Sequence, residues 1–179
     1  MVFRILYLLD AKIYYMKTLL LVRHAKSSWD DFSIKDFDRP LNDRGKKDAP
    51  AMAKRMRDKD IKIDAFISSP AKRARKTAEA FAKEYKEDKE NIIFFDELYL
   101  ASPSTFFDVI SKTDDQFKTI AVFSHNDGLT SFANMLTSSR IDNIPTSGVY
   151  AVKVNTKHWI DFEKAEKEFW FFDSPKKGE

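Results

Sequence analysis

The run Thr18-Leu19-Leu20-Leu21-Val22, followed at once by Arg23 and His24, decides the fold. A strand with one wet face alternates polar and apolar residues. This run does not alternate, so it reads as a strand buried on both faces, the kind a parallel sheet covered by helices requires. Working outward, the same pattern of strand and then helix recurs. Residues 63–68 (IDAFIS), 92–95 (IIFF) and 119–123 (TIAVF) read as further strands. Residues 43–59 read as a helix with Ala49, Met52, Ala53 and Met56 on one apolar face. Pro50 within that span predicts either a kink or a start near Asp48. Ser69 and Pro70 read as the N-cap and first residue of a helix reaching about Tyr85, with Ala74, Ala78, Phe81, Ala82 and Tyr85 as its buried stripe. Residues 104–111 and 127–136 read as shorter helices. Residues 149–154 alternate as a half-exposed strand, and 168–172 (EFWFF) read as its partner near a sheet edge. Strands alternating with helices predict an α/β fold: a three-layer αβα sandwich around a mainly parallel sheet.

Composition narrows the class. The chain has 179 residues, no cysteine, 43% hydrophobic and 14% aromatic residues. The aromatics and the small net charge of +3 exclude a disordered chain. Without cysteine there is no disulfide framework, thiolate metal site or cysteine nucleophile. Residues 1–90 hold 22 basic and 15 acidic side chains, so the positive charge lies in the first half. The signs are interleaved, as on a solvated surface, and no nucleic-acid-binding module accompanies them. The opening stretch MVFRILYLLDAKIYY is interrupted by Asp10 and Lys12, short of the ~20 apolar residues of a membrane span, and carries no cleavage-site pattern. It is expected to be an extension of unknown role, with a single domain at 16–176. A monomeric cytoplasmic protein, without membrane or nucleic-acid partners, is the expectation.

In open α/β sheets, ligands bind beyond the carboxyl ends of the strands. There the sequence places Arg23 and His24 after the first strand, Ser68, Ser69 and Arg73 after the second, and Ser124, His125 and Asn126 after the fourth. His158 falls in an expected hairpin turn. Two imidazoles and two guanidiniums at one rim suit a phosphoryl group. The arginine fork binds phosphate oxygens in pairs, and a neutral imidazole is a competent nucleophile toward phosphorus. Each residue alone also fits a plain role: a hydrogen-bonded histidine, a wet helix face for Arg73 within Lys72–Lys76, a helix cap for Ser69. The joint placement favours the functional reading.

Four ordered stretches carry a resemblance: LLLVRHAKSSW (19–29), DFDRPLNDRGKKDAPAMA (36–53), ISSPAKRARKTAEAFA (67–82) and VFSHNDGLTSFANML (122–136). Together they resemble the histidine phosphatase superfamily, and within it the SixA-like phosphohistidine phosphatases, small members without a large cap insertion. The resemblance implies a phosphoglycerate mutase-like fold and a metal-free, cofactor-free phosphatase. It implies His24 as the nucleophile that becomes phosphorylated. Arg23, Arg73 and His125 would hold the phosphoryl oxygens, His125 donating a hydrogen bond and a positive charge to the transition state, with Ser27 and Asn126 assisting in substrate binding. The implied substrate is phosphohistidine on a protein. The alternatives are a small phosphomonoester, a mutase reaction, or a non-catalytic phosphate- or partner-binding domain. One departure matters: the family's phosphomonoesterases place a glutamate after the third strand, where this chain aligns Leu100, with Glu97 nearby as a substitute or an exposed bystander. An alkoxide leaving group needs a proton as it departs, so a missing acid costs ~10²–10⁴ in rate. Phosphohistidine makes a lighter demand. Trp29, Phe32 and Phe37 in the loop 26–40 are candidate contacts to a protein substrate or buried packing residues.

Overall fold

A computed structural model of the chain describes residues 16–175; the expected extension 1–15 and the last residue of the expected domain lie outside the described residues. Six strands form one sheet in the order β3-β2-β4-β1-β5-β6. They are β1 (Met16–Arg23), β2 (Ala65–Ser68), β3 (Ile93–Phe94), β4 (Thr119–Ser124), β5 (Val149–Asn155) and β6 (Glu166–Asp173). β1, β2, β3 and β4 run parallel, and β5 and β6 add an antiparallel edge. The mainly parallel αβα sandwich read from the sequence is the architecture found.

The unbroken apolar run of β1 explains the layering. Successive strand side chains point to opposite faces. Leu19 and Leu21 therefore join the core beneath α3 (Pro103–Ser111) and α4 (Gly128–Leu136), where Phe106, Ile110, Leu129 and Phe132 meet them. Leu20 and Val22 join the opposite core, under α1 (Asp43–Asp58) and α2 (Lys72–Glu84), with Met52, Met56, Ala78 and Phe81. All four β1 side chains are fully buried, and each contributes about 1.5–3 kcal/mol relative to exposure.

The helix expected over 43–59 is found as α1, which starts at Asp43 and carries Pro50 inside it; the Asn42 side chain caps it by accepting from the Gly45 N–H at 2.9 Å. Three expectations are corrected. α2 starts at Lys72, with Ala71 at its N-cap, so Ser69 and Pro70 precede the helix. The third strand is only Ile93–Phe94 and lies exposed at the sheet edge. β5 is buried through Val149–Val152 rather than half-exposed, because β1 and β6 flank it and both cores reach it. Among the described residues, no helix is long and apolar enough to cross a membrane.

The loop after β1 is tied to the start of α1. The Asn42 N–H donates to the Lys26 carbonyl at 3.0 Å, and Gly45 packs against that same carbonyl, leaving no room for a Cβ. In a free helix Gly→Ala gains about 1 kcal/mol. Here Gly45→Ala is expected to lose about 1–3 kcal/mol through overpacking, read as a fall in thermal midpoint. An unchanged or raised midpoint would contradict the tight approach.

Candidate active site

Strand register builds the site. β1 and β4 pair with Val22 beside Phe123 and Arg23 beside Ser124, while β2 places Ser68 beside Phe123. The ladder continues one residue past the strands: the His24 N–H donates to the Ser124 carbonyl and the Ser69 N–H to the Phe123 carbonyl, both at 3.0 Å. His24, His125 and Ser69 thus emerge side by side at one end of the sheet. The imidazole centroids of His24 and His125 lie 5.1 Å apart, tilted by 50°.

His24 Nδ1 is 2.8 Å from the Ala25 carbonyl. A carbonyl only accepts, so Nδ1 carries the proton and Nε2 keeps its lone pair. That lone pair accepts from Arg73 Nε at 3.3 Å. Arg73 is buried in the first turn of α2, whereas Arg75 is exposed. This separates the two arginines of the basic run. The Arg73 guanidinium is held from the far side by Asp36, through the Asp36 carbonyl at 2.5 Å and Oδ2 at 2.8 Å. Tyr99 also donates to Asp36 Oδ2 at 2.8 Å, and its ring meets His125 edge-on at 5.4 Å. His125 Nε2 shares a hydrogen bond with Ser69 Oγ at 2.9 Å. His125 Nδ1 and Arg23 Nε are buried and have no hydrogen-bond partner among the described residues. Leaving buried polar atoms unsatisfied costs about 1–3 kcal/mol each.

The remaining sequence-predicted residues sit one step away. Arg23 Nη1 donates to the Ile144 carbonyl at 2.8 Å and to Asn143 Oδ1 at 3.3 Å. Asn126 donates to the same Asn143 Oδ1 at 2.5 Å and accepts from Thr130, so its amide braces the segment that holds Arg23. The Ser27 hydroxyl accepts from Arg39 Nη2 at 2.9 Å, and Arg39 stacks on Trp29. Glu97 is exposed, as is Leu100. His158 lies across the molecule, bonded to Asp115 at 2.6 Å.

Sequence reasoning did not assign Asp36 or Tyr99 to the site. Tyr99 lies just beyond the third strand, where the same strand-end rule points. Asp36 lies in the quoted stretch 36–53, and no local signal sets it apart from Asp38. Ser69, placed by the sequence both at the rim and as a helix cap, accepts from the Ala71 N–H at 3.3 Å and also holds His125.

Burial, then the Arg73 and Arg23 charges, push His24 down to about 4 against the opposing pull of its Ala25 hydrogen bond. Burial, His24 and Arg73 push His125 down to about 2. Both shifts favour the neutral imidazole at neutral pH. Although burial opposes it, hydrogen bonds from Tyr99 and Arg73 hold Asp36 below the usual carboxylate range.

Residues 19–99 match the family model of the histidine phosphatase superfamily (branch 1). The uncharacterized protein Rv1276c of Mycobacterium tuberculosis is 32% identical over 152 residues, covering 79% of this chain and 92% of that one. Among solved structures, the protein histidine phosphatase SixA complexed with tungstate aligns over 88% of this chain and 97% of its own, with TM-score 0.75 and 19% identity. A mycobacterial glucosyl-3-phosphoglycerate phosphatase, Rv2419c, complexed with VO3 aligns over 88% and 99%, with TM-score 0.68 and 11% identity. The chain belongs to the histidine phosphatase superfamily, and that membership supports phosphatase activity.

Folded histidines that refuse protons leave a thermodynamic trace. Below pH 6.5 the unfolded histidines take up protons that the folded pair excludes, so stability falls as pH drops from 6.5 toward 4. By ring-nitrogen NMR of the free protein, His24 and His125 are expected to stay neutral at pH 5.5. An ordinary titration near pH 6.5 at either ring would contradict the buried, cation-flanked geometry.

Proposed function

We propose that the protein is a phosphatase that works through a phosphohistidine on His24. Residues 16–176 are taken as one catalytic domain. One observation carries the reading: the Nε2 lone pair of His24 is fixed by the Ala25 carbonyl beside a second buried imidazole with an unpartnered nitrogen. The Arg73 side chain at 3.3 Å adds a cation that an incoming phosphoryl oxygen can engage.

In the reaction, Arg23, Arg73 and His125 hold the phosphoryl oxygens. His24 Nε2 attacks phosphorus, forming the N–P bond while the bond to the leaving group breaks in line. Water then attacks the phosphorus of phospho-His24. The N–P bond breaks, inorganic phosphate leaves, and His24 recovers its lone pair. Positioning and preset hydrogen-bond donors supply most of the acceleration. The SixA structure complexed with tungstate shows that a protein of this fold binds a phosphate-like oxyanion.

The substrate we infer is phosphohistidine on a protein. Glu97 is exposed, Leu100 supplies no proton, and Asp36 is engaged with Arg73 and held ionised. A site without a ready acid discriminates against alkyl esters, whose leaving oxygen must be protonated, and less against a leaving imidazole.

The free protein is expected to hydrolyse p-nitrophenyl phosphate, whose leaving group needs no acid, with or without EDTA. His24→Ala should lower the rate about 10³-fold or more. Glu97→Gln should leave it within about twofold, since Glu97 touches none of the reacting groups. A phosphohistidine peptide should exceed phosphoserine and sugar phosphates in kcat/KM. Phosphate binding without turnover would instead indicate a binding domain, and preference for a sugar phosphate would indicate a small-molecule phosphomonoesterase.

A further inference from the structure

α1 and α2 lie side by side on one face of the sheet, and an open groove of about 510 Å³ runs between them. Its floor is apolar, with Leu41, Ala49 and Ala80, and its rim is cationic, with Lys72, Lys76 and Lys83. Lys76 is neutralised by Glu79 at 2.5 Å, and Glu84, an acid at the groove, is taken by Arg57 at 2.7 Å. Among the described residues, Lys72 and Lys83 have no ion-pair partner. They are 11 residues apart on one helix, or about 16 Å along its axis. Lys72, Lys76 and Lys83 also fall within a narrow arc of that helix, so they form one stripe along one side of the groove.

The groove begins where the catalytic site ends. Lys72 directly precedes Arg73, and Leu41 is two residues beyond Arg39, which is bonded to Ser27 and Asp36. An occupant lying along the groove would have one end beside the site.

We propose that this groove docks an acidic amphipathic helix of the phosphoprotein substrate. The inference rests on the phosphatase reading above and names how its substrate is held. The apolar floor takes the apolar face of the helix, as in other helix-in-groove complexes. Carboxylates about three turns apart meet Lys72 and Lys83. Lys83 is exposed and Lys72 half-buried at the rim, so they contribute chiefly to encounter and orientation, and their contribution weakens with salt.

The test uses three synthetic probes and the double variant Lys72→Glu/Lys83→Glu. One probe is a peptide with phosphohistidine beside a three-turn acidic amphipathic helix. The second replaces its carboxylates by amides, and the third is a short phosphohistidine peptide without the helix. In the double variant, KM for the acidic helical peptide should rise about tenfold at low salt, with kcat unchanged and p-nitrophenyl phosphate turnover unchanged. That rise should shrink at high salt. The amide peptide should be much less affected, and the short peptide unaffected. Equal effects on all three probes, or none on any, would overturn the docking proposal. Fluorescence anisotropy of the unphosphorylated acidic helix, compared between the wild-type protein and the double variant, reads docking without turnover. Failure of wild-type turnover would therefore count against the phosphatase reading, while equal binding by the two proteins would count against the groove.

Discussion

The in-register parallel pairing of β1 with β4, and of β4 with β2, is the constraint on which the site depends. Each strand end carries a side chain that is unremarkable in isolation. Pairing Arg23 with Ser124 and Ser68 with Phe123 aligns the three ends to within a residue. The backbone bonds from His24 and Ser69 then extend that alignment into the loops. A slip of one residue in any of these strands would send its apolar side chains to the wrong core and its terminal residue away from the others. The unbroken burial of β1 guards against that slip, since both of its faces are filled.

Electrostatics then acts on what register delivers. Burial first, and then the nearby guanidiniums, favour the neutral rings, and a neutral ring is what a nucleophile needs. Asp36 reconciles this with the low dielectric around Arg73. By accepting from Arg73, Arg39 and Tyr99 together, one carboxylate from the loop after β1 fixes the guanidinium while its Nε stays on His24. The site is thus arranged before any ligand arrives, with buried nitrogens of His125 and Arg23 left to be satisfied. Preset donors of this kind cost little reorganisation when charge develops.

Much of this arrangement was legible in the sequence, for a physical reason. A strand buried on both faces writes itself as an unbroken apolar run, and the residue after it lies at the ligand-binding rim. That logic reached His24, Arg23, Arg73 and His125. It failed where position depends on how loops fold back. Asp36 reaches Arg73 across 37 residues of chain, and Tyr99 reaches Asp36 across 63. Ser-Pro is also a helix-start signature, so the sequence sets the start of α2 at Ser69 and Pro70, whereas the helix begins later, at Lys72. β5 was misread because Lys153 breaks its apolar pattern, while the second antiparallel strand that covers it gives no local signal.

The account stands most directly on the atom that receives the phosphoryl group. Rapid acid-free quenching during turnover of a phosphohistidine peptide, followed by mass spectrometry of proteolytic fragments, should locate one acid-labile phosphoryl group on His24 and none in a His24→Ala variant. A phosphoryl group on His125 or another residue, or turnover that proceeds with no phosphoenzyme at any time point, would contradict it.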